Sequence, residues 1–104
     1  MREAYVYILS KGRHGSLYIG VTTDLDRRIS EHRLKLIPGH ASKHDITRLV
    51  HIETFGDIRD AITREKRLKK WNRDWKVRLI EEQNPHWEDL AISLLEMPHV
   101  SQKT

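Results

Sequence analysis

The chain has 104 residues, with 19 lysines and arginines against 15 acidic residues, no cysteine and a formal net charge of +4. That length supports one domain with one modest core, and the absence of thiols excludes both a disulfide framework and a thiolate metal site. A pI near 9.6 favours a polyanionic partner, nucleic acid first, and no apolar run approaches the roughly 20 residues of a membrane span or forms a signal peptide, so a soluble cytoplasmic protein is expected.

Ala4 to Ser10 is rich in aromatic and β-branched residues and ends at Lys11-Gly12-Arg13-His14-Gly15, which reads as a strand followed by a turn. Leu17 to Val21 resumes the same character after a short loop, so the two segments should pair antiparallel as a hairpin. Alternation places Tyr5, Tyr7 and Leu9 on one side of the first strand, and Tyr18 with Gly20 on one side of the second. Register is not fixed by sequence, so convergence of the two phenols stays open at this level.

Thr23 is read as the N-cap of a first helix, with Asp24 and Asp26 in the first turn where the helix dipole favours negative charge. Leu25, Ile29, His32 and Leu36 follow a helical stripe that stops before Pro38-Gly39. A polar loop carries His40, Lys43 and His44. The pair His40 and His44 has zinc-like spacing but no thiolate or third ligand, so zinc is not expected. Thr47 to Phe55 reads as a third strand, and Asp57 as the N-cap of a second helix.

Ile58, Ala61, Ile62, Leu68, Trp75 and Leu79 trace an apolar stripe, and Glu65 and Asn72 fall on it. Arg64, Lys66, Arg67, Lys70, Arg73 and Arg78 occupy the rest, as a basic face suited to phosphates. A carboxylate on the inward side of a basic helix needs a metal cation or a structural partner such as Arg28, because an unpaired buried charge costs several kcal/mol. A break near Asn72 to Asp74 divides two helices. Asn84-Pro85 is expected to open a last one, with Pro at the first helical position and Leu90, Leu94 and Leu95 inward. Residues 97–104 read as a frayed tail after a single domain spanning 1–96. Trp71, Trp75 and Trp87 read as packing anchors, with Trp71 also placed to stack a splayed base.

Taken together, these segments resemble the GIY-YIG nuclease family. Tyr5-Val6-Tyr7 stands where that family has Gly-Ile-Tyr, Tyr18-Ile19-Gly20 matches the second half of its name, and Arg28 sits at the place of its catalytic arginine. Glu65 falls where these enzymes hold a metal, and the small bacterial members carry segments similar to Arg64 to Trp71 and Asn84 to Leu90. The resemblance implies an α/β fold, with a small, mainly antiparallel three-stranded sheet flanked by helices.

The same resemblance implies a metal-dependent endonuclease cutting DNA phosphodiester bonds, structure-selective and suited to repair or recombination. Magnesium or manganese would bind through Glu65 and water, and Arg28 would grip the scissile phosphate. Tyr7 is the candidate base with Tyr18 its neighbour and alternate, in a phenolate form favoured by the metal and Arg28. His32 would contact phosphate or relay a proton. Gly20 would admit substrate or a side chain close to the backbone, and Lys43, Arg64, Lys66, Arg67, Lys70, Arg73 and Asn84 would bind substrate.

Tyr5 replaces the family's first glycine, and Val21 stands where excision-repair relatives have a lysine, so a helper cation would come from Lys11 or Lys43. The family's downstream asparagine is either Asn72 or Asn84; Asn72 is seven residues from Glu65, about 10.5 Å along a helix, too far to share an ion directly, so Asn84 is preferred. A monomer or weak dimer is expected, targeted by its own structural selectivity or by a partner protein. The alternatives are a catalytically silent nucleic-acid-binding module and, behind it, an interaction scaffold for an acidic partner.

Overall fold

Ala4–Ser10 forms β1, the middle strand of a three-stranded antiparallel sheet in the order β2-β1-β3. Its composition explains the position: every residue except Tyr5 is buried, and only a central strand is covered on both faces with its edges paired. The structure is a computed structural model and describes residues 2–36, Gly39 and residues 44–91. β2 is Leu17–Thr22 and β3 is Arg48–Phe55. Three helices follow in chain order: α1, Leu25–Arg33, between β2 and β3, then α2, Ile58–Lys70, and α3, Arg73–Gln83.

The sheet separates two apolar clusters. On one face Val6, Ile8, Ile19 and Val50 pack with Ala61 and Leu68 of α2, Ile80 of α3 and Trp87. On the other, Tyr7, Leu9 and Leu49 pack with Leu25 and Ile29 of α1, Ile46 and Ala91. A β-bulge at Ile8/Leu9 pairs Ile8 with His51 and Leu9 with Leu49. Val50 is thus the extra residue, which lets Val50 and His51 both serve the α2 face.

Local signals set most helix ends, with some corrections. Asp57 caps α2 by accepting from Arg59 N, and Asn72 caps α3 by accepting from Trp75 N, so the break before Asp74 falls where the sequence places it. The cap of α1 is Asp24 rather than Thr23. Asp24 accepts from Arg27 N, while Thr22 Oγ1 receives Asp24 N at 3.0 Å. The carboxylate wins this position because it also meets the positive end of the helix.

α1 stops at Arg33, leaving Leu34 and Leu36 exposed, so Leu36 is not part of the inward stripe. Ile58, Ile62 and Trp75 are likewise exposed, and only Ala61 and Leu68 of α2 are fully buried. Pro85 does not open a helix: Asn84 is the C-cap of α3, a turn follows, and helical backbone resumes only at Leu90. Asn84 favours this cap because its amide serves three backbone groups at once. His40, Lys43, Leu94, Leu95 and the tail 97–104 lie outside the described residues.

Candidate active site

Strand register brings the first two site residues together. Tyr7 of β1 is paired directly with Gly20 of β2, and the Tyr7 ring lies flat across that glycine. A Cβ at Gly20 would come closer than 3.0 Å to Tyr7 Cζ, Oη and Cε1, so the space Gly20 leaves open is filled by the phenol itself. Tyr18, two residues earlier on the same face, sets its ring 6.3 Å from that of Tyr7. α1 then lies over this face through Leu25 and Ile29, which carries Arg28 and His32, one turn apart, towards the phenols. His32 Nε2 stands 3.0 Å from Tyr7 Oη, and its ring meets those of Tyr7 and Tyr18 edge-on at 5.8 and 5.2 Å.

Burial decides the charge state of this cluster. It raises the Tyr7 pKa, with Tyr18 adding to the rise and the Arg28 guanidinium opposing it. It lowers the His32 pKa, with Arg28 adding to the fall and Glu31 opposing it. Desolvation disfavours phenolate and imidazolium alike, so a neutral phenol and a neutral imidazole share one proton across the 3.0 Å contact. Arg28 does not overcome burial, and a resting Tyr7 phenolate is not favoured.

Exposure divides the cluster into two layers. Tyr7 is 0 % and His32 2 % exposed, whereas Tyr18 is half-buried and the Arg28 side chain is 40 % exposed. Tyr18 and Arg28 are therefore the groups that reach solvent. Arg28 lines a cleft of about 300 Å³ together with Thr22, Thr23, Asp24, Arg27 and Glu31. Glu31 lies between the two arginines, 3.3 Å from Arg27 Nε and 3.4 Å from Arg28 Nε.

Comparison with known proteins identifies the family. Residues 3–78 match the model of the GIY-YIG catalytic domain. The chain belongs to the GIY-YIG family. A UPF0213 protein of Staphylococcus haemolyticus is 37% identical over 86 residues, covering 79% of this chain and 99% of that protein. One of Haloquadratum walsbyi is 37% identical over 78 residues, covering 75% and 86%. A UPF0213 protein of Bacillus halodurans, solved by NMR in solution, aligns with a TM-score of 0.53 at 32% identity over 85% of this chain and 93% of its own. The GIY-YIG fold, with its antiparallel sheet between helices, is thus the architecture of this chain.

Glu65, the expected metal residue, sits on a different helix face from the Tyr7 cluster. It lies four residues after Ala61 and three before Leu68, so it shares their inward stripe on α2, against the sheet face opposite Tyr7. Its side chain is 14 % exposed, with Lys69 Nζ at 3.1 Å, and Arg28 pairs with Glu31 instead. Among the described residues no three His, Cys, Asp or Glu side chains gather as a ligand cluster. A single partly buried carboxylate fits a hard divalent ion that keeps most of its waters, and does not fit zinc.

The expected substrate contacts separate into engaged and available groups. Arg73 donates to His14 O at 2.7 Å and Gly15 O at 2.9 Å, tying α3 to the β1–β2 turn. Asn84 is buried. It donates to Val50 O and Glu88 O and accepts from Glu88 N, so its amide clamps the chain and is not carried forward as a substrate contact. Lys66, Arg67 and Lys70 are exposed and pair with no acid among the described residues. Lys11 lies in the hairpin turn opposite Ser16, about 13 Å of strand beyond Tyr7 but only about 7 Å beyond the Leu9–Tyr18 pair, and Lys43 lies outside the described residues.

One network was not anticipated. Glu53 accepts from Arg64 Nε at 2.8 Å and Nη2 at 3.0 Å, and its other contact is His51 Nε2 at 2.9 Å. The Arg64 guanidinium in turn lies 5.1 Å from the centroid of Trp71. Burial alone would raise the Glu53 pKa, but the hydrogen bonds from His51 and Arg64 bring it down to about 2. The available signal was the i, i+2 spacing of His51 and Glu53 on one strand, which puts both on one face; their partner on α2 is invisible without the fold.

Proposed function

We propose that the chain is a divalent-metal-dependent endonuclease hydrolysing DNA phosphodiester bonds, selective for nicks, flaps, branches or single strands as repair and recombination require. The observation that carries this reading is the convergence of Tyr18, the neutral Tyr7–His32 pair and Arg28 on one face. That set supplies what hydrolysis needs: a positive charge for the phosphate and an acceptor for the proton of water.

Arg28 and Tyr18, the two members of the cluster that reach solvent, meet the scissile phosphate and the attacking water. The proton moves from water to the Tyr18 oxygen, from Tyr18 to Tyr7 and from Tyr7 to His32 Nε2, which leaves an imidazolium and two neutral phenols. The lowered His32 pKa keeps its ring neutral and able to accept at the start of this step. Burial of Tyr7 and His32 keeps bulk water from short-circuiting the relay.

A magnesium or manganese ion held by Glu65 supplies Lewis acidity to the phosphate and the leaving oxygen when bound. β2 is the edge strand between the α1 face and the α2 face, so a substrate crossing that edge meets Arg28 and Glu65 from opposite sides. Lys66, Arg67 and Lys70, beside Glu65 on α2, hold the flanking phosphates. Phosphate contacts carry no sequence information, so selectivity comes from DNA structure or from a targeting partner.

The complete burial of Tyr7 and the placement of Glu65 on the opposite face favour a second reading, a binding module of the same fold without turnover. The deciding experiment is cleavage of labelled linear, nicked, flapped and branched DNA by wild type and Glu65→Ala, with magnesium, with manganese and with chelator. Metal-dependent cutting lost in the variant establishes the nuclease. Salt-sensitive binding with no cutting in any arm establishes the silent module.

A further inference from the structure

The junction of α2 and α3 holds an aromatic notch that the proposed hydrolysis does not use. Trp71, the C-cap of α2, and Trp75, in the first turn of α3, meet at an interplanar angle of 87° with centroids 5.7 Å apart. Arg78, Leu79 and Glu82 complete the lining, one and two turns along the same face of α3. Trp75 is 51 % exposed, an unusual position for the largest apolar side chain on a helix with a buried face to spend it on. The notch measures about 220 Å³, below the roughly 300–1,000 Å³ of a drug-sized ligand site. It suits one planar ring system.

We infer that this notch receives a single unpaired nucleobase of a DNA strand whose phosphates run along the basic face of α2. The inference rests on the nucleic-acid reading above and deepens it, because a base can enter only from a single-stranded or flapped segment. A right-angle corner of two indoles gives a flat ring one face to stack on and one edge to abut, in keeping with the offset-stacked and edge-to-face geometries that aromatic pairs prefer. The wall is held in place from behind, since Arg64 covers Trp71 and is itself forked onto Glu53.

Charge decides the occupant. Eight of the chain's 19 lysines and arginines fall between Arg64 and Arg78, with only Glu65 and Asp74 as acids in that stretch, so a polyanion is drawn to this surface. Inside the notch, Arg78 and Glu82 offset each other, whereas the α2 flank is net basic, so the phosphates follow the flank and the corner is left for the base. A carboxylate there accepts from the N–H groups of a base's pairing edge, and those groups are free only when the base is unpaired. A hydrophobic protein segment would use neither the flanking cations nor Glu82.

The test is indole emission and affinity with chelator present, using three probes of equal length: a single-stranded oligodeoxynucleotide, its duplex, and an abasic sugar–phosphate strand. Trp87 is fully buried, so quenching reports Trp71 and Trp75. Wild type is expected to bind the single strand about tenfold or more tighter than the abasic strand, given what one stacked base contributes. Trp75→Ala is expected to abolish that margin while keeping abasic binding, and Trp75→Phe, which restores a ring, to recover most of it. Equal affinity for base-bearing and abasic strands, or a margin unchanged in Trp75→Ala, overturns the notch. Absence of any salt-sensitive binding overturns the nucleic-acid reading as well. A margin that survives in a protein unable to cut any DNA leaves the notch standing and removes only the hydrolysis.

Discussion

Tyr7 and Gly20 face each other across β1 and β2, and the phenol occupies the volume that any side chain at position 20 would need. The glycine of Tyr18-Ile19-Gly20 is therefore a steric condition for the Tyr7–His32 contact. Gly20→Ala should destabilise the fold by about 1–3 kcal/mol, the usual cost of overpacking, and break the Tyr7–His32 bond. Urea unfolding and the His32 ring resonances measure the two effects. Tyr7→Ala should rescue Gly20→Ala, so the two changes will be strongly non-additive; additive losses would mean the ring does not lie over Gly20.

The buried pair sets a pH window. His32 has a folded pKa below its ordinary 6.5, so below that value the unfolded chain binds the proton more readily and stability falls as pH drops. Tyr7 has a folded pKa above its ordinary 10.0, so above that value the unfolded chain loses the proton more readily and stability falls as pH rises. The contribution of the pair is fully present between roughly 6.5 and 10. The difference in unfolding free energy between wild type and Tyr7→Phe should isolate the alkaline slope, and that between wild type and His32→Gln the acid slope. A flat difference curve in either case would contradict the burial of that group.

Glu53 is the opposite case. Its folded pKa of about 2 lies below the ordinary 4.5, so its contribution is present above about 4.5 and is lost as pH falls towards 2. Glu53→Ala should cost about 3 kcal/mol near neutral pH, at about 1.4 kcal/mol per pKa unit, and should release Arg64 from Trp71. Chemical denaturation at pH 7 and pH 3 tests this: the gap between wild type and variant should shrink at the lower pH.

The basic residues should separate by role. Lys66→Ala, Arg67→Ala and Lys70→Ala should each leave stability within about 0.5 kcal/mol and lower the slope of log affinity against log salt by about 0.9 per phosphate lost. Arg73→Ala should instead cost about 1 kcal/mol of stability, through two lost hydrogen bonds to the β1–β2 turn. Salt titrations of DNA binding and urea melts on the same variants will distinguish a phosphate contact from a structural tie.

Tyr18→Phe and Tyr7→Phe should both lower turnover of the preferred DNA by about 10²–10⁴-fold, the usual contribution of a positioned proton acceptor, with little change in affinity. Rapid-quench cleavage with excess enzyme reads the chemical step directly. Loss in Tyr18→Phe alone would place the base at the surface and reduce Tyr7 to a packing residue.

Much of this protein is legible from its residues in order. The β-rich run from Ala4 to Ser10, the Tyr18-Ile19-Gly20 strand, the cap at Asp57, the helix break near Asn72 and the one-turn spacing of Arg28 and His32 are local features, and local propensity and spacing suffice to place them. Three decisions lie beyond that reach. Register across β1 and β2 put Tyr7 over Gly20 and so buried the phenol, which favours its neutral form in the metal-free chain. Packing of α1 and α2 on opposite faces separated Glu65 from the phenols, although both follow the motif in sequence. Closure of α2 against β3 joined Arg64 to Glu53, and the α2–α3 break turned Trp71 and Trp75 into a corner. Each depends on which residues meet across the sheet or between helices. Spacing along the chain specifies a face, and only packing decides what that face meets and whether water reaches it.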